Sequence, residues 1–63
     1  SQEGWNRVAA AARTAGAEGS FVLADFRDTL NTSRKYASVY LAALDRAGIT
    51  VFDGERRRLP EGK

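Results

Sequence analysis

The side chains of this 63-residue sequence that are best suited to bind a ligand are cations set beside hydroxyls. Arg34-Lys35 follows directly on Thr32-Ser33, and a second cationic run, Arg56-Arg57-Arg58, lies near the carboxyl end. Most acids lie outside these two runs, although the formal net charge is only +2. Guanidinium, ammonium and hydroxyl groups in such clusters can bind phosphate oxygens. We therefore expect an anion-binding surface, and we expect the fold to bring the two runs together.

The sequence offers few residues that are suited to enzymatic catalysis. The absence of cysteine and histidine excludes disulfides, thiolate or imidazole zinc sites, and the usual pairing of a nucleophile with a base. The carboxylates are scattered, and no Walker-type glycine loop is present. No apolar run approaches about 18 residues, and no signal-peptide pattern is seen. We therefore expect a non-enzymatic, monomeric, cytoplasmic binding domain with no cofactor, no metal and no membrane partner.

Ser33 is expected to begin the longest helix, because its hydroxyl can accept a hydrogen bond from an unpaired amide of the first turn. Arg34 and Lys35 fall on the free side of this helix. Gly48 can adopt the left-handed conformation just past the last turn, so the predicted helix runs from Ser33 to Ala47. The apolar residues spaced by three and four on its packed side are Ala37, Tyr40, Leu41, Leu44 and Ala47.

Two shorter helices are predicted before this one. The alanines of Trp5–Ala15 favour a first helix ended by Gly16, whereas Ser1–Gly4 is expected to be a frayed lead-in. Apolar residues at helical spacing predict a second helix over Leu23–Leu30. Asn31-Thr32 then forms a tight turn into the third helix, since asparagine tolerates a left-handed backbone. The second and third helices are therefore predicted to form a helix-turn-helix.

A charged β-hairpin is predicted after the third helix. Ile49–Phe52 is rich in β-forming residues, Asp53-Gly54 is a hairpin signal, and Glu55–Leu59 returns as the second strand. The short run Ser20–Val22 can add a third strand to this hairpin. The whole chain, residues 1–63, is thus predicted to be one α+β, mainly α domain: a winged helix-turn-helix with three helices, a small antiparallel sheet and one wing. Its predicted core is Trp5, Val8, Phe21, Leu23, Phe26, Leu30, Ala37, Leu41, Leu44, Ile49 and Val51.

Four stretches within Phe21–Leu59 form a recognisable pattern: Ala24-Asp25-Phe26-Arg27-Asp28, Thr32-Ser33-Arg34-Lys35-Tyr36-Ala37, Leu44-Asp45-Arg46-Ala47-Gly48-Ile49-Thr50 and Asp53-Gly54-Glu55-Arg56. Together they resemble a known family, the last winged-helix module of the bacterial selenocysteine-specific elongation factor. The resemblance implies binding to a hairpin, or stem-loop, in selenoprotein messenger RNA downstream of a recoded UGA codon. It also implies a fragment of a longer multidomain GTPase whose catalytic residues are absent here, with the ribosome and selenocysteyl-tRNA as partners of the full-length parent only.

The chain departs from the pattern of that family at three positions. Val22 stands where a threonine tends to cap the second helix, and a valine side chain cannot accept that hydrogen bond. Asn31 replaces a typical glycine in the turn. Phe52 stands where an arginine is common, which removes one cation from the hairpin.

The start of the third helix is the expected centre of RNA binding, because the helix dipole and free amides there also favour a phosphate. Arg56 and Arg58 alternate along a strand and share one face, so we prefer them to Arg57. Arg27, near the end of the second helix, can close the patch beside the turn. The expected RNA-binding residues are Arg27, Thr32, Ser33, Arg34, Lys35, Arg56 and Arg58.

Several of these residues also have a purely structural interpretation. Arg27 can pair with Asp25 or Asp28, and Asp28 can instead neutralise Arg34 across the turn. The run Arg56–Arg58 can be a solvated edge that discourages strand-to-strand aggregation.

Two other functions are compatible with the same predicted fold. One is the DNA-binding winged helix-turn-helix of a transcription regulator, with the third helix in a major groove. The other is a protein-docking module whose partner covers the third helix. Tyr36 and Tyr40, at helical positions, are more typical of packing residues than of platforms on which bases stack.

Overall fold

The computed structural model describes residues 1–61. The elements are α1 (Gln2–Ala15), α2 (Leu23–Leu30), α3 (Arg34–Arg46), β1 (Val51–Phe52) and β2 (Arg57–Arg58). Over the described range, α1 packs on α2, α2 packs on α3, and β1 and β2 form a two-stranded antiparallel sheet. The predicted architecture, a mainly α winged helix-turn-helix, is confirmed.

The first helix begins at Gln2 rather than at Trp5, so the expectation of a frayed lead-in is wrong. The Gly4 amide donates a hydrogen bond to the Ser1 hydroxyl at 3.1 Å, and the Trp5 amide donates to the Ser1 carbonyl at 3.0 Å. Glu3 lies in the same turn, where the positive end of the helix dipole favours an acid. A serine cap and an acid thus outweigh the low helix propensity of Gly4.

Gly16 ends α1 as predicted, and close packing there leaves little room for a side chain. Its φ of −98° is open to any residue. A Cβ at this position would lie 3.2 Å from Leu59 Cγ and 3.2 Å from carbons of the Phe21 ring. The missing side chain therefore lets the end of α1 approach both of these residues closely.

The core is formed by the three helices together with Phe21. Val51 was predicted to be buried and is 36% exposed, and Ala47 is exposed as well. Thr50 takes the buried position of this segment because its hydroxyl donates to Asp45 Oδ1 at 2.7 Å. The remaining predicted core residues are buried or packed against the core. The buried apolar residues are Val8, Ala9, Ala11, Ala12, Phe21, Phe26, Ala37, Leu41 and Leu44.

Helices α2 and α3 form the predicted helix-turn-helix. Val22 gives α2 no side-chain cap, but its amide donates to the Asp25 carboxylate at 3.0 Å. Asn31 adopts the predicted left-handed conformation, with a φ of 60°. The Thr32 amide donates to the Arg27 carbonyl at 3.1 Å and closes the end of α2. These bonds fix the direction in which the chain enters α3.

The wing, residues 51–58, has shorter strands than predicted. Val51 lies opposite Arg58, and Phe52 lies opposite Arg57. The predicted third strand is reduced to one bridge, in which the Phe21 amide donates to the Arg57 carbonyl at 2.8 Å and the Arg57 amide donates back at 2.9 Å. Because α2 begins two residues after Phe21, the chain leaves the sheet before a strand can form.

Candidate nucleic-acid interface

The first turn of α3 carries two cations and no acid. Arg34 and Lys35 are both exposed, and neither forms an ion pair with any of residues 1–61. Helices α1 and α2 have an acid in their first turns instead, Glu3 and Asp25. Because the amino end of a helix carries a partial positive charge, cations there are unfavourable and an anion is favourable. The start of α3 is therefore well prepared to bind an anion such as a phosphate.

Two hydroxyls lie beside these cations. The Ser33 hydroxyl caps α3 as predicted by accepting a hydrogen bond from the Tyr36 amide at 3.2 Å. Its own proton remains available for a ligand oxygen, since a hydroxyl can donate and accept at once. Ser33 is exposed and Thr32 is half-buried. The amides of Arg34 and Lys35 lie in the part of the first turn that has no intrahelical acceptor, so they can also contribute donors.

Arg27 is paired with Asp28, as one structural interpretation had it. Its Nε donates to Asp28 Oδ1 at 3.1 Å, and its Nη2 lies 3.1 Å from the same oxygen. The Arg27 side chain is 34% exposed and that of Asp28 is 72% exposed. Asp25 is occupied at the start of α2, and Asp28 does not pair with Arg34. The Arg34 guanidinium is therefore not paired with an acid of residues 1–61 and is available to a ligand.

The arginines of the wing have three different environments. Arg57 donates from Nη2 to Asp45 Oδ2 at 2.8 Å and from Nε to both carboxylate oxygens, at 3.1 and 3.2 Å. Arg56 donates from Nε to the Ser20 hydroxyl at 2.7 Å and from Nη2 to the Ser20 carbonyl at 3.2 Å. Arg58 is exposed. Arg57 is thus bound to α3, which leaves Arg56 and Arg58 at the surface.

The Asp45 carboxylate fastens the wing to α3. Burial alone raises the pKa of Asp45, but the hydrogen bonds from Arg57 and Thr50, together with the charges of Arg57 and Arg46, outweigh burial and hold this pKa below its usual value. The Arg57 guanidinium also lies 3.8 Å from the centroid of the Phe52 ring, in cation–π contact. Arg57 therefore has a structural role at the base of the wing.

The loop of the wing is fixed by Asp53. The amides of Glu55 and Arg56 both donate to its carboxylate at 2.8 Å, and these bonds lower the pKa of Asp53. The Asp53 amide in turn donates to the Arg56 carbonyl at 3.0 Å. Gly54, with a φ of 105°, supplies a backbone conformation that other residues rarely adopt. This tight loop holds the Arg56 backbone in place.

The two cationic groups lie toward opposite ends of α3. Lys35 is in its first turn, whereas Arg57 contacts Asp45 in its last turn. At 1.5 Å per residue, Lys35 and Asp45 are separated by about 15 Å along the helix axis. Arg27 and residues 32–35 thus lie around the turn that begins α3, whereas Arg57 fixes the wing to the last turn of this helix. A ligand that extended along α3 from Lys35 to the Arg57–Asp45 contact would span roughly four to five nucleotides, at about 3.4 Å each.

The packing interpretation is correct for one tyrosine of α3, but the other tyrosine is more exposed than that interpretation predicts. Tyr40 is half-buried and packs against the core, as the packing interpretation predicts, but Tyr36 is 53% exposed. Val39, three residues along, is 55% exposed. Both lie off the buried stripe that contains Ala37 and Leu41. The helical spacing of the sequence could have separated them from that stripe.

Residues 1–61 lack the features of a metal site and of a membrane span. No cluster of three or more carboxylates or other metal-ligating side chains occurs in that range. None of the described helices is long and apolar enough to span a membrane.

Comparison with known proteins identifies the family. A family model described as the winged helix of elongation factor SelB, and numbered in its name as the third, matches residues 13–59. The match covers about three-quarters of the chain and includes α2, α3 and the wing. No curated protein matched the sequence. Winged-helix domains of this kind are non-catalytic modules. The chain therefore belongs to the winged-helix family of elongation factor SelB, the factor of selenocysteine incorporation during translation elongation.

Proposed function

We propose that this domain binds the selenocysteine-insertion hairpin of a selenoprotein messenger RNA and so supports selenocysteine incorporation. Arg34 and Lys35 carry the proposal, because both are exposed in a helix turn that contains no acid. The residues proposed to contact RNA are Arg27, Thr32, Ser33, Arg34, Lys35, Arg56 and Arg58.

The positions of Arg34 and Lys35 are unfavourable for folding and favourable for binding. A cation near the amino end of an exposed helix costs about 0.3–1 kcal/mol at low ionic strength. A phosphate placed between the two side chains and the free amides removes that repulsion and adds charge-assisted hydrogen bonds. A ligand rather than the fold therefore accounts best for two cations at this position.

Arg27 and Arg56 can contact RNA with little loss of folding stability. Both partners are exposed: Asp28, next in sequence, forms an ion pair with Arg27, and Ser20 accepts hydrogen bonds from Arg56. The exposed Arg27–Asp28 ion pair contributes about 0–1 kcal/mol, and the exposed hydrogen bonds of Arg56 to Ser20 can be exchanged for hydrogen bonds to a phosphate. An RNA phosphate can therefore replace these partners without a large loss of stability.

The cations at the first turn of α3 and the wing fixed at its last turn, about 15 Å along the helix axis, favour an extended ligand over a single small anion. A hairpin provides both a stem, with phosphates along its length, and a loop with unpaired bases. Membership of the SelB family supports RNA as the partner. Duplex DNA with α3 in the major groove is the alternative, and the experiment below separates the two.

The test is to measure the affinity of the domain for four probes: a pool of RNA hairpins with a fixed stem and a randomised loop, the single-stranded pool, the RNA duplex of the same stem, and the matching DNA duplex. We expect the hairpin pool to bind best, with affinity that falls steeply between about 50 and 200 mM salt because phosphate contacts release counterions. Preference for duplex DNA would replace this proposal with the DNA-binding one. Binding of none of the four would reject it altogether.

In this proposal the domain is one part of a longer cytoplasmic factor. The parent factor supplies GTP hydrolysis and the contacts with selenocysteyl-tRNA and the ribosome. The domain supplies the attachment to the messenger RNA.

A further inference from the structure

The outer side of α3 presents an aromatic surface that the phosphate contacts leave unused. It consists of Tyr36, Val39 and the outer part of Tyr40. Tyr36 and Val39 are 53% and 55% exposed. This surface lies beside Lys35 in the first turn of α3, whose Nζ is 6.0 Å from the Tyr36 ring centroid.

The Tyr36 ring packs against a second aromatic ring, that of Tyr40. Its centroid lies 6.2 Å from that of Tyr40, and the two rings are stacked with an angle of 26° between their planes. Tyr40 is itself packed against the core, so it provides a firm base for the exposed ring. Lys35 Nζ lies over the Tyr36 ring, 6.0 Å from its centroid, at the outer limit of a cation–π contact that a base could replace. The position of Tyr36 is therefore set before a ligand arrives.

We propose that Tyr36 is a stacking platform for an unpaired base of the bound RNA. This inference rests on the proposed function and makes it more specific, since the RNA must present an extruded base next to a phosphate held by Arg34 and Lys35. Bases in a duplex are covered by their neighbours, whereas loop bases can turn outward and stack on aromatic side chains. The platform would thus let the domain distinguish a hairpin from its own stem.

The charges around the surface favour a base over an apolar protein partner. A protein that buried Tyr36 and Val39 would also have to desolvate the adjacent Arg34 and Lys35, or supply acids to pair with them. A nucleotide provides an aromatic ring and a phosphate in one unit, which matches a tyrosine next to two cations. The occupant is therefore an unpaired nucleotide.

The experiment compares Tyr36→Leu and Tyr36→Phe with the parent domain. Hairpins enriched by the parent from the randomised-loop pool serve as one probe, and the fully paired RNA stem serves as the other. Tyr36→Leu is expected to weaken hairpin binding by about tenfold or more, because it removes a base–aromatic stack, and to leave stem binding unchanged. Tyr36→Phe, which keeps the ring, is expected to bind as the parent does. Circular dichroism checks that both variants fold.

Each other outcome rejects a defined part of the proposal. If Arg34→Ala weakens hairpin binding and Tyr36→Leu does not, phosphate binding stands and the stacking platform is wrong. An equal loss on hairpin and stem would also reject the platform. If the parent binds no hairpin, both the proposed function and this inference are rejected. Self-association of the parent that Tyr36→Leu abolishes, with RNA binding unchanged, would assign the surface to a second copy of the chain.

Discussion

Replacing Arg34 by glutamate is expected to stabilise the folded domain while it weakens RNA binding. Arg34 is the first residue of α3, and no acid lies in that turn. Removing the cation and adding an acid should each raise the free energy of unfolding by about 0.3–1 kcal/mol, a total of about 0.6–2 kcal/mol at low salt. For a domain of this size, about 1 kcal/mol shifts the melting temperature by about 4–8 °C.

Thermal melting by circular dichroism at low and high salt measures the first effect, and the gain should shrink at high salt because the charges are screened. Titration with the RNA hairpin pool measures the second. Loss of one phosphate contact should lower the slope of log affinity against log salt by about 0.7–0.9. The new negative charge should weaken binding further by repelling neighbouring phosphates.

Arg13→Glu is a matched control with the same change in net charge. Arg13 is exposed in the last turn of α1, where a cation is favourable. This variant should therefore melt at a lower temperature than the parent and bind the hairpin pool nearly as well. If Arg34→Glu melted below the parent, or bound the hairpin pool as tightly, the electrostatic account of α3 would be refuted.

Three further variants test the fold around the interface. Leu41→Ala should lower the free energy of unfolding by about 2–5 kcal/mol in denaturant titration, because Leu41 is fully buried. Asn31→Val should cost about 1–2 kcal/mol, because a β-branched residue is strained at a φ of 60°, whereas Asn31→Gly should cost nothing. Asp45→Asn should cost about 1.5–3 kcal/mol by breaking its charged hydrogen bonds to Arg57. The low pKa of Asp45 in the folded state adds stability above about pH 4 that is lost as the pH falls further, so the variant should show a shallower acid-induced loss.

Each of these predictions has an outcome that contradicts it. A Leu41→Ala domain that unfolds at the parent's denaturant concentration would show that the packed side of α3 is assigned wrongly. Equal stability of the Asn31 variants with valine and with glycine would mean that the turn is not left-handed. An Asp45→Asn domain with the parent's acid unfolding curve would show that this carboxylate does not fasten the wing.

The helix-turn-helix could be predicted from the sequence because its signals are local. Ser33 caps the residue three positions on, and Asn31 takes the left-handed conformation that its side chain tolerates. The start of α1 was predicted too late in the chain, because the Ser1 cap stabilises the first turn more than the low helix propensity of Gly4 destabilises it. The predicted burial of Val51 is wrong, because the alternation of side chains along a strand does not by itself determine which side packs against the core. That choice is made by the bond from Thr50 to Asp45.

The candidate interface could be predicted only in part. The exposure of Arg34 and Lys35 follows from helical spacing, because the buried stripe fixes which side of α3 is free. The distance from these cations to the wing could not be predicted, since the wing is placed by the pairing of Arg57 with Asp45, twelve residues earlier in the chain. No local pattern shows which arginine of the wing that acid will bind.

Binding of RNA at the first turn of α3 can be observed by NMR, with the backbone amide chemical shifts followed during titration with the enriched hairpin. We expect the largest chemical-shift changes at the amides of Ser33, Arg34, Lys35 and Tyr36, with smaller changes at Arg56 and Arg58. Changes confined to α1 or to the last turn of α3, with the amides of residues 33–36 unmoved, would contradict this expectation.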